Sequence, residues 1–179
     1  MPSYAALLRG INVGGKNIIK MADLRASFAA MDFEGVRTYI QSGNVVFSSS
    51  AKSAKTLVDP IASMLAQTFD YHATLAVLSK AQMRRAVEGA PEGFGTEPER
   101  YRYDVMFLLA PLTATKVFPQ IPVKEGVDAK VAGKGVVYFS RLIAKASSSR
   151  LSRITGMPFY QQMTVRNWKT TNKVLEMMD

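Results

Sequence analysis

Cysteine is absent from the 179-residue chain, and histidine occurs only once, as His72. The absence of cysteine excludes a disulfide framework, a thiolate nucleophile and a thiolate metal site. A zinc site usually needs several Cys or His ligands, and a serine triad needs a histidine beside its nucleophile. We therefore expect no metal and no cofactor. We interpret His72 as a solvated or half-buried residue between a helix and a strand.

Long apolar runs are also missing from the chain. The first apolar stretch extends from Tyr4 to Leu8 and ends before Arg9. That length is too short for the core of a signal peptide and far too short to span a bilayer. No heptad or solenoid period occurs either. The sequence therefore predicts a compact cytoplasmic protein with no membrane partner.

Hydrophobic periodicity predicts the elements of the first 78 residues. They are a strand at 4–8, a helix carrying Met21, Leu24, Phe28 and Met31, hairpin arms at 36–40 and 44–47, a helix carrying Leu57, Ile61, Met64, Leu65 and Phe69, and a strand at 74–78. The order βαββαβ is that of the ferredoxin-like fold, an antiparallel sheet with two helices on one face. Pro60 is expected either in the first turn of the second helix, behind Asp59 as a cap, or at a kink.

The second half repeats this order after a short helix that begins at Ser79, with Gln82 in the position of a capping box. The Gly- and Pro-rich stretch 89–98 marks the boundary. The elements expected beyond it are a strand at 103–109, a short helix at 113–118, hairpin arms at 127–131 and 136–140, a helix capped by Ser148 that carries Leu151 and Ile154 and stops at Gly156, a strand at 159–165, and a terminal helix with Trp168, Leu175 and Met178 on one face.

These patterns predict an α+β fold of two tandem ferredoxin-like modules with antiparallel sheets, plus a C-terminal helix. The first module spans residues 1–78. A connecting helix and a linker rich in Gly, Pro and Glu span 79–102. The second module, which is basic and includes the terminal helix, spans 103–179.

Three blocks of the sequence resemble a known family, catalogued as domain of unknown function 1697 (DUF1697). The blocks are Leu8-Arg9-Gly10-Ile11-Asn12-Val13-Gly14-Gly15-Lys16-Asn17, Arg37-Thr38-Tyr39-Ile40-Gln41-Ser42-Gly43-Asn44-Val45-Val46-Phe47 and Thr164-Val165-Arg166-Asn167-Trp168. The resemblance implies a bacterial-type cytosolic protein with paired ferredoxin-like halves. It implies no activity, because the family has no established reaction, ligand or catalytic residue. Lys169 follows the third block where the family tends to have Asn, which adds charge.

Charge is distributed unevenly along the chain. Residues 1–78 carry seven Lys or Arg against five Asp or Glu, and the remainder carries sixteen against nine. No acid occurs between residues 130 and 175, where the cations are Lys130, Lys134, Arg141, Lys145, Arg150, Arg153, Arg166, Lys169 and Lys173. Such a segment favours an anionic partner, and nucleic acid is the usual one. The paired strand aromatics of ferredoxin-like RNA binders are missing, so a solvated basic surface without a ligand stays an alternative.

The opening loop is the first of three candidate anion sites, with Arg9, Asn12, Gly14, Gly15, Lys16 and Asn17 as its residues. Its glycines and cations match the spacing of a phosphate loop up to Lys16, but Asn17 replaces the Ser or Thr that binds magnesium. A phosphate loop also opens directly into a helix, which Ile18-Ile19-Lys20 delays. The pattern favours a structural loop in which the glycines permit close packing and Arg9 bonds to the backbone.

Two later clusters are the other candidate anion sites. Ser149 and Arg150 stand at a predicted helix start, where free N–H groups, a hydroxyl and a guanidinium can hold phosphate. A plain N-cap explains this pair equally well. Arg166, Asn167 and Lys169 surround Trp168, which can stack a base or a sugar. At helical spacing with Leu175 and Met178, however, the indole is more typical of a core residue.

We expect an anion-binding protein whose partner is a nucleic acid or a phosphorylated small molecule. One alternative is an enzyme for a small phosphorylated substrate, in which Arg9, Lys16 or Arg166 stabilises charge and Asp23 and Glu34 are the acid–base candidates by elimination. Catalytic residues are otherwise unidentified. Another alternative is an interaction scaffold that pairs through open sheet faces, which leaves a homo-oligomer open.

Overall fold

The computed structural model describes residues 1–72 and 74–179 and has an α+β fold. Two four-stranded antiparallel sheets are present, as predicted. The chain divides into two compact units: unit 1 comprises Met1–Met83 with Lys173–Asp179, and unit 2 comprises Arg84–Asn172. The module boundaries expected from the sequence stay a prediction. Among the described residues, no helix has the length and apolar content needed to cross a membrane.

Unit 1 contains every strand and helix that periodicity predicts for residues 4–78. They are β1 (Ser3–Leu8), α1 (Met21–Ala29), β2 (Glu34–Tyr39), β3 (Asn44–Ser48), α2 (Lys55–Phe69) and β4 (Leu75–Ser79), followed by α3 (Lys80–Glu88), which crosses the division between the units. The strands pair in the order β2-β3-β1-β4, and all neighbours are antiparallel.

Aromatic side chains tie the first sheet to its helices. Side chains alternate along a strand, so Tyr4 on β1 and Phe47 on β3 share the face that packs on α1 and α2. The Phe47 ring lies 4.4 Å from Phe33 and 5.5 Å from Phe28, measured between centroids, and 6.0 Å from its cross-strand partner Tyr4. Offset and edge contacts of this kind stabilise a core beyond simple burial.

Two features are predicted for helix ends in unit 1, a capping box at Ser79 and, as one of two alternatives, a first-turn proline at Pro60, and only the first is present. The predicted capping box is confirmed: the Ser79 N–H donates to Gln82 Oε1 at 2.8 Å, and the Gln82 N–H donates to Ser79 Oγ at 3.3 Å. Pro60 is the sixth residue of α2 rather than a first-turn residue. The first-turn alternative is therefore wrong, because the helix begins five residues earlier, at Lys55.

Unit 2 repeats the same strand order with smaller helices. Its elements are β5 (Tyr101–Leu108), α4 (Ala114–Val117), β6 (Asp128–Ala132), β7 (Val136–Leu142), 3₁₀ helices at Phe118–Gln120, Ile143–Ser148, Leu151–Gly156 and Pro158–Gln162, β8 (Met163–Asn167) and α5 (Trp168–Met177), which crosses back into unit 1. The strands pair as β6-β7-β5-β8, all antiparallel. The core includes Met106, Val137 and Phe139.

The connection from β7 to β8 departs from the sequence prediction. In place of one helix capped by Ser148, it contains three 3₁₀ helices, and Ser148 ends the first of them. The expected strand at 159–165 begins only at Met163. Serine hydroxyls compete for backbone groups in this segment, and the residue before Pro158 is kept out of the helical region. A continuous α-helix therefore does not form.

We predict that Gly43→Ala destabilises the protein by about 3 kcal/mol, because a methyl group there combines backbone strain with overpacking. Its Cβ would lie 2.7 Å from Ile11 Cδ1 and 2.8 Å from Leu8 Cβ, at a φ of +82°. The control is Gly14→Ala, where φ is +59° and no atom lies within 4 Å. This variant should lose only about 1 kcal/mol. Urea denaturation measures both, and equal losses would contradict the packing argument.

Candidate functional site

The opening loop, residues 9–17, forms a miniature hairpin. The Lys16 N–H donates to the Val13 carbonyl at 3.1 Å, and the Asn12 N–H donates to the Asn17 carbonyl at 3.1 Å. Gly14 and Gly15 occupy the turn with φ of +59° and +73°, the conformation of a type I′ turn. No atom lies within 4 Å of a Cβ built on either glycine. The expected close packing at these glycines is therefore wrong, and backbone conformation explains them instead.

The asparagines of this loop are used inside unit 1. Asn12 Nδ2 donates to the carbonyls of Ile19 at 3.0 Å and Gln41 at 2.9 Å, while Asn12 Oδ1 accepts from the Ile19 N–H at 2.9 Å. Asn17 Nδ2 donates to the Gly10 carbonyl at 3.1 Å. Both amides were candidate anion ligands, and both hold the loop in place.

Arg9 joins the loop to the segment after α2. Its N–H donates to Tyr71 Oη at 2.8 Å, and the Tyr71 hydroxyl donates to the Arg9 carbonyl at 2.5 Å. Lys16 is exposed at the hairpin tip, and α1 begins only at Met21. The strand–loop–helix arrangement of a phosphate loop is therefore not formed here.

The second candidate, Ser149 and Arg150, is engaged by a carboxylate of the protein itself. Asp128 Oδ2 accepts from the Arg150 N–H at 2.8 Å and from the Lys124 N–H at 2.9 Å. Ser149 Oγ accepts from the Leu151 N–H at 3.2 Å, in a local turn before the 3₁₀ helix Leu151–Gly156. An internal anion thus occupies the N–H groups that a phosphate would use.

The two strand residues of the third candidate cluster lie on opposite faces of β8. Arg166 and Asn167 are consecutive strand residues, so their side chains leave opposite faces of the sheet. Arg166 is buried, and its Nη1 donates to Thr164 Oγ1 at 3.0 Å and to the Val165 carbonyl at 2.9 Å. Asn167 Oδ1 accepts from the Thr170 N–H at 2.7 Å and caps α5. Arg166 is therefore placed as a structural residue.

A cleft of about 630 Å³ lies in unit 2 where β5 begins and β7 and β8 end. We call it the arginine cleft. Its charged and amide side chains are Arg102, Asp104, Arg141, Asn167 and Lys169, and its aromatic side chains are Tyr101, Tyr103 and Trp168. Asn167 and Lys169 belong to the sites predicted from the sequence, whereas the charged residues of β5 and β7 do not.

Strand register brings the cleft residues together. Arg102 on β5 is opposite Arg141 on β7, and Asp104 on β5 is opposite Asn167 on β8. Arg102 and Asp104 also lie on the same face of β5 as Met106, a core residue. Charged residues at alternate positions at the start of an apolar strand are the sequence signal for this cleft. The sequence prediction does not include them, because Arg102 and Asp104 lie before the acid-free segment that begins at residue 130.

The cleft carries three cations and one carboxylate. Burial raises the pKa of Asp104 above its usual value of 3.8, and the nearby charges of Arg141 and Arg102 offset this only in part. Arg141 Nε is buried and has no hydrogen-bond partner among residues 1–72 and 74–179. A buried donor without an acceptor is costly. These features favour an anion as the ligand of the cleft.

Trp168 forms an apolar wall of the cleft and is half-buried, so its expected core position is wrong. A Cβ on Gly95 would lie 2.2 Å from Trp168 Nε1, which means that only glycine lets the indole approach this closely. The Phe94 ring packs edge-on against the Trp168 ring, with 5.1 Å between centroids and an interplanar angle of 85°. The indole is therefore held by its neighbours beside the charged residues.

The remaining acid–base candidates lie elsewhere. Asp23 in the first turn of α1 and Glu34 at the start of β2 are exposed residues of unit 1. His72 is also exposed and lies 2.9 Å from Asp70 Oδ1. Within the described part of the chain, no three His, Asp or Glu side chains are grouped so that they could hold a metal ion.

We predict that Asp104 makes the protein less stable as the pH rises above 3.8, the usual pKa of its carboxyl. The folded state binds this proton more tightly than the unfolded chain, so ionisation opposes folding. Asp104→Asn removes that penalty and should gain stability relative to wild type between about pH 4 and pH 7. Asp23→Asn is the exposed control. Urea denaturation across this range tests the prediction, and parallel curves for wild type and Asp104→Asn would refute it.

Comparison with known proteins adds a family and a solved structure. The chain is similar to the conserved bacterial protein SP0830 from Streptococcus pneumoniae, at 28% identity and a TM-score of 0.87, with 99% of each chain covered. No curated protein matches the chain. The profile of the family described as "Protein of unknown function (DUF1697)" matches residues 1–138, so the block at 164–168 lies beyond the matched range. The chain belongs to the DUF1697 family.

Proposed function

We propose that the protein binds a small phosphorylated molecule in the arginine cleft. The observation that carries this proposal is the convergence of Arg102, Arg141 and Lys169 on one cavity of about 630 Å³. Guanidinium groups match phosphate oxygens in a bidentate geometry and stay charged when partly buried. The volume is in the range of clefts that take ligands of drug or nucleotide size.

Trp168 supports a ligand that has a flat or apolar part as well as a phosphate. The indole stands beside Lys169 and Asn167 in the wall of the cleft. Its position is fixed by Gly95 and Phe94, so little side-chain entropy is lost when a ring packs on it. A nucleotide combines both parts, with phosphate toward the arginines and base or sugar toward the indole.

Nucleic acid is the less favoured partner, because several cations of the acid-free segment serve the fold. Lys130 Nζ donates to the carbonyls of Phe118 and, at 2.7 Å, Ile121. Arg150 Nη1 reaches the Val123 carbonyl at 3.5 Å, and Lys173 pairs with Glu176. The segment is therefore not one continuous basic surface. A concave site for one ligand agrees better with this distribution than a track for a phosphate backbone.

The finer fold assignment is part of the same proposal: each unit is a ferredoxin-like module. The support is the repeated strand order, in which the first strand of each sheet lies between the third and the fourth. Unit 2 departs from the pattern, since 3₁₀ helices replace the helix between β7 and β8. A cytoplasmic location and a homo-oligomer stay predictions from the sequence.

We predict that ADP binds to the arginine cleft with an affinity that falls as salt increases. Arg141→Gln should weaken binding about tenfold or more, because each lost charge-assisted hydrogen bond contributes roughly 1.5–3 kcal/mol. Lys169→Gln should weaken it less, since that side chain is exposed. The control is Lys134→Gln, an exposed cation in the β6–β7 turn. Isothermal titration calorimetry across a salt series measures these effects.

Two outcomes of that titration would overturn the proposal. One is equal affinity for ADP in wild type and Arg141→Gln. The other is tight binding of a single-stranded RNA that Lys134→Gln weakens as much as Arg141→Gln does, which would indicate a diffuse phosphate-tracking surface.

A second candidate function is an enzyme that acts on the bound phosphorylated molecule. The observation that favours it is Asp104, a carboxyl with a raised pKa in the same cleft as three cations. A carboxyl in this state can transfer a proton nearer neutral pH than an exposed one can. The cations would stabilise negative charge that develops on the substrate. In this candidate function the acid–base residue is Asp104 rather than Asp23 or Glu34 of unit 1.

Asp104→Asn distinguishes the binder from the enzyme. We predict that it tightens ADP binding several-fold, because it removes the one negative charge of the cleft without changing its shape. If Asp104 transfers a proton, the same variant abolishes release of inorganic phosphate from ATP, whereas Asp23→Asn leaves that rate unchanged. Unaltered phosphate release in Asp104→Asn would exclude the catalytic role.

A further inference from the structure

Unit 2 has a second cavity of about 290 Å³, which we call the aromatic pocket. The side chains that matter for its chemistry are Glu92, Phe94, Glu97, Tyr101 and Tyr103, and the buried Tyr138 lies beneath them. Tyr103 and Tyr138 stand on the face of the sheet opposite to Arg102 and Asp104, because β5 alternates its side chains and Tyr138 lies across from Val105. Tyr101 and Tyr103 line both cavities, whereas Glu92, Glu97 and Phe94 line only the aromatic pocket.

We propose that the aromatic pocket binds a small organic cation with a methylated ammonium group. Phe94 is the centre of the ring cluster, with its centroid 4.9 Å from that of Tyr103 and 5.4 Å from that of Tyr138, both edge-on. Tyr101 lies 6.1 Å from Tyr103. Aromatic faces carry partial negative charge, and clusters of them recognise quaternary ammonium groups.

Two carboxylates stand at the pocket, although the whole chain has a formal net charge of +9. Glu92 and Glu97 line it and are exposed. The Glu97 N–H donates to Tyr103 Oη at 3.3 Å, which fixes the acidic segment beside the rings. Lys130 also lines the pocket, but it lies opposite Phe139, so its side chain leaves the other face of the sheet, where Nζ donates to the Phe118 and Ile121 carbonyls. Carboxylates and ring faces thus point to the same class of ligand.

An arginine already makes the contacts that we expect of the ligand. The Arg100 guanidinium carbon lies 5.2 Å from the centroid of the Tyr101 ring, and Arg100 Nη1 lies 3.6 Å from Glu97 Oε1. The Arg100 side chain is 63% exposed, and exposed ion pairs are weak. This exposed cation makes the contacts with Tyr101 and Glu97 that we expect of the ligand, and it therefore competes with a ligand for them.

The volume of the aromatic pocket indicates the size of the ligand that it would bind. A cavity of about 290 Å³ is at the lower end for ligand sites and is less than half the volume of the arginine cleft. Its size matches a head group with a short substituent better than a whole nucleotide. The two cavities therefore select ligands by size as well as by charge.

Choline and its uncharged isostere 3,3-dimethylbutan-1-ol test the proposal in a titration of the full chain followed by NMR. The two molecules have nearly the same shape, so their difference isolates the charge. We expect choline to bind about tenfold more tightly than the alcohol. Equal binding of the two, or no binding of choline, would overturn the proposal.

Substitutions in and around the aromatic pocket test whether choline binds there. Glu97→Gln should weaken choline binding several-fold, while Glu99→Gln, an exposed neighbour outside the pocket, should leave it unchanged. Arg100→Gln should tighten it, because the internal competitor is removed. Tyr101→Leu is a second variant that deletes one ring face, and thermal melting confirms that each variant is folded. The same choline affinity in Glu97→Gln and Glu99→Gln would refute the assignment.

Discussion

The pleat of β5 is the constraint on which the chemistry of unit 2 depends. Arg102 and Asp104 point to the face that continues into the core at Met106, whereas Tyr101 and Tyr103 point to the other face. Antiparallel pairing with β7 and β8 holds this register. A shift by one residue would exchange the two sets and place charged groups where the ring cluster packs. One strand thereby supplies the charged side chains of the arginine cleft from one face and, from the other, two tyrosines that line both the cleft and the aromatic pocket.

Local sequence patterns predict most of the fold, whereas the site is formed by contacts between residues that are distant in sequence. Hydrophobic periodicity placed β1, α1, the β2–β3 hairpin and α2, and the Ser79–Gln82 box formed as expected because its two partners are three residues apart. The arginine cleft depends on residues 102, 141 and 167, which only the register of three strands brings together. Periodicity predicts which residues of one strand share a face, but it does not identify which residues of separate strands lie opposite each other.

The conspicuous polar clusters of the sequence prove to be hydrogen-bonded within the protein. Asn12 joins the opening loop to Ile19 and Gln41, and Asp128 supplies the acceptor for the N–H groups of Lys124 and Arg150. In both places a polar side chain satisfies backbone groups that would otherwise be unpaired. The same residue types that make an anion site also make a loop rigid, and only the structure reveals which use is made of them.

The chain contains one tryptophan, and it stands in the wall of the arginine cleft. Indole fluorescence depends on the charges and the water around the ring. Trp168 is half-buried against Gly95 and Phe94, in a cavity lined by two arginines and a lysine. No other residue of this chain contributes to the tryptophan emission. The protein therefore has an intrinsic optical probe of this cavity, and occupancy of the cleft can be followed without a label.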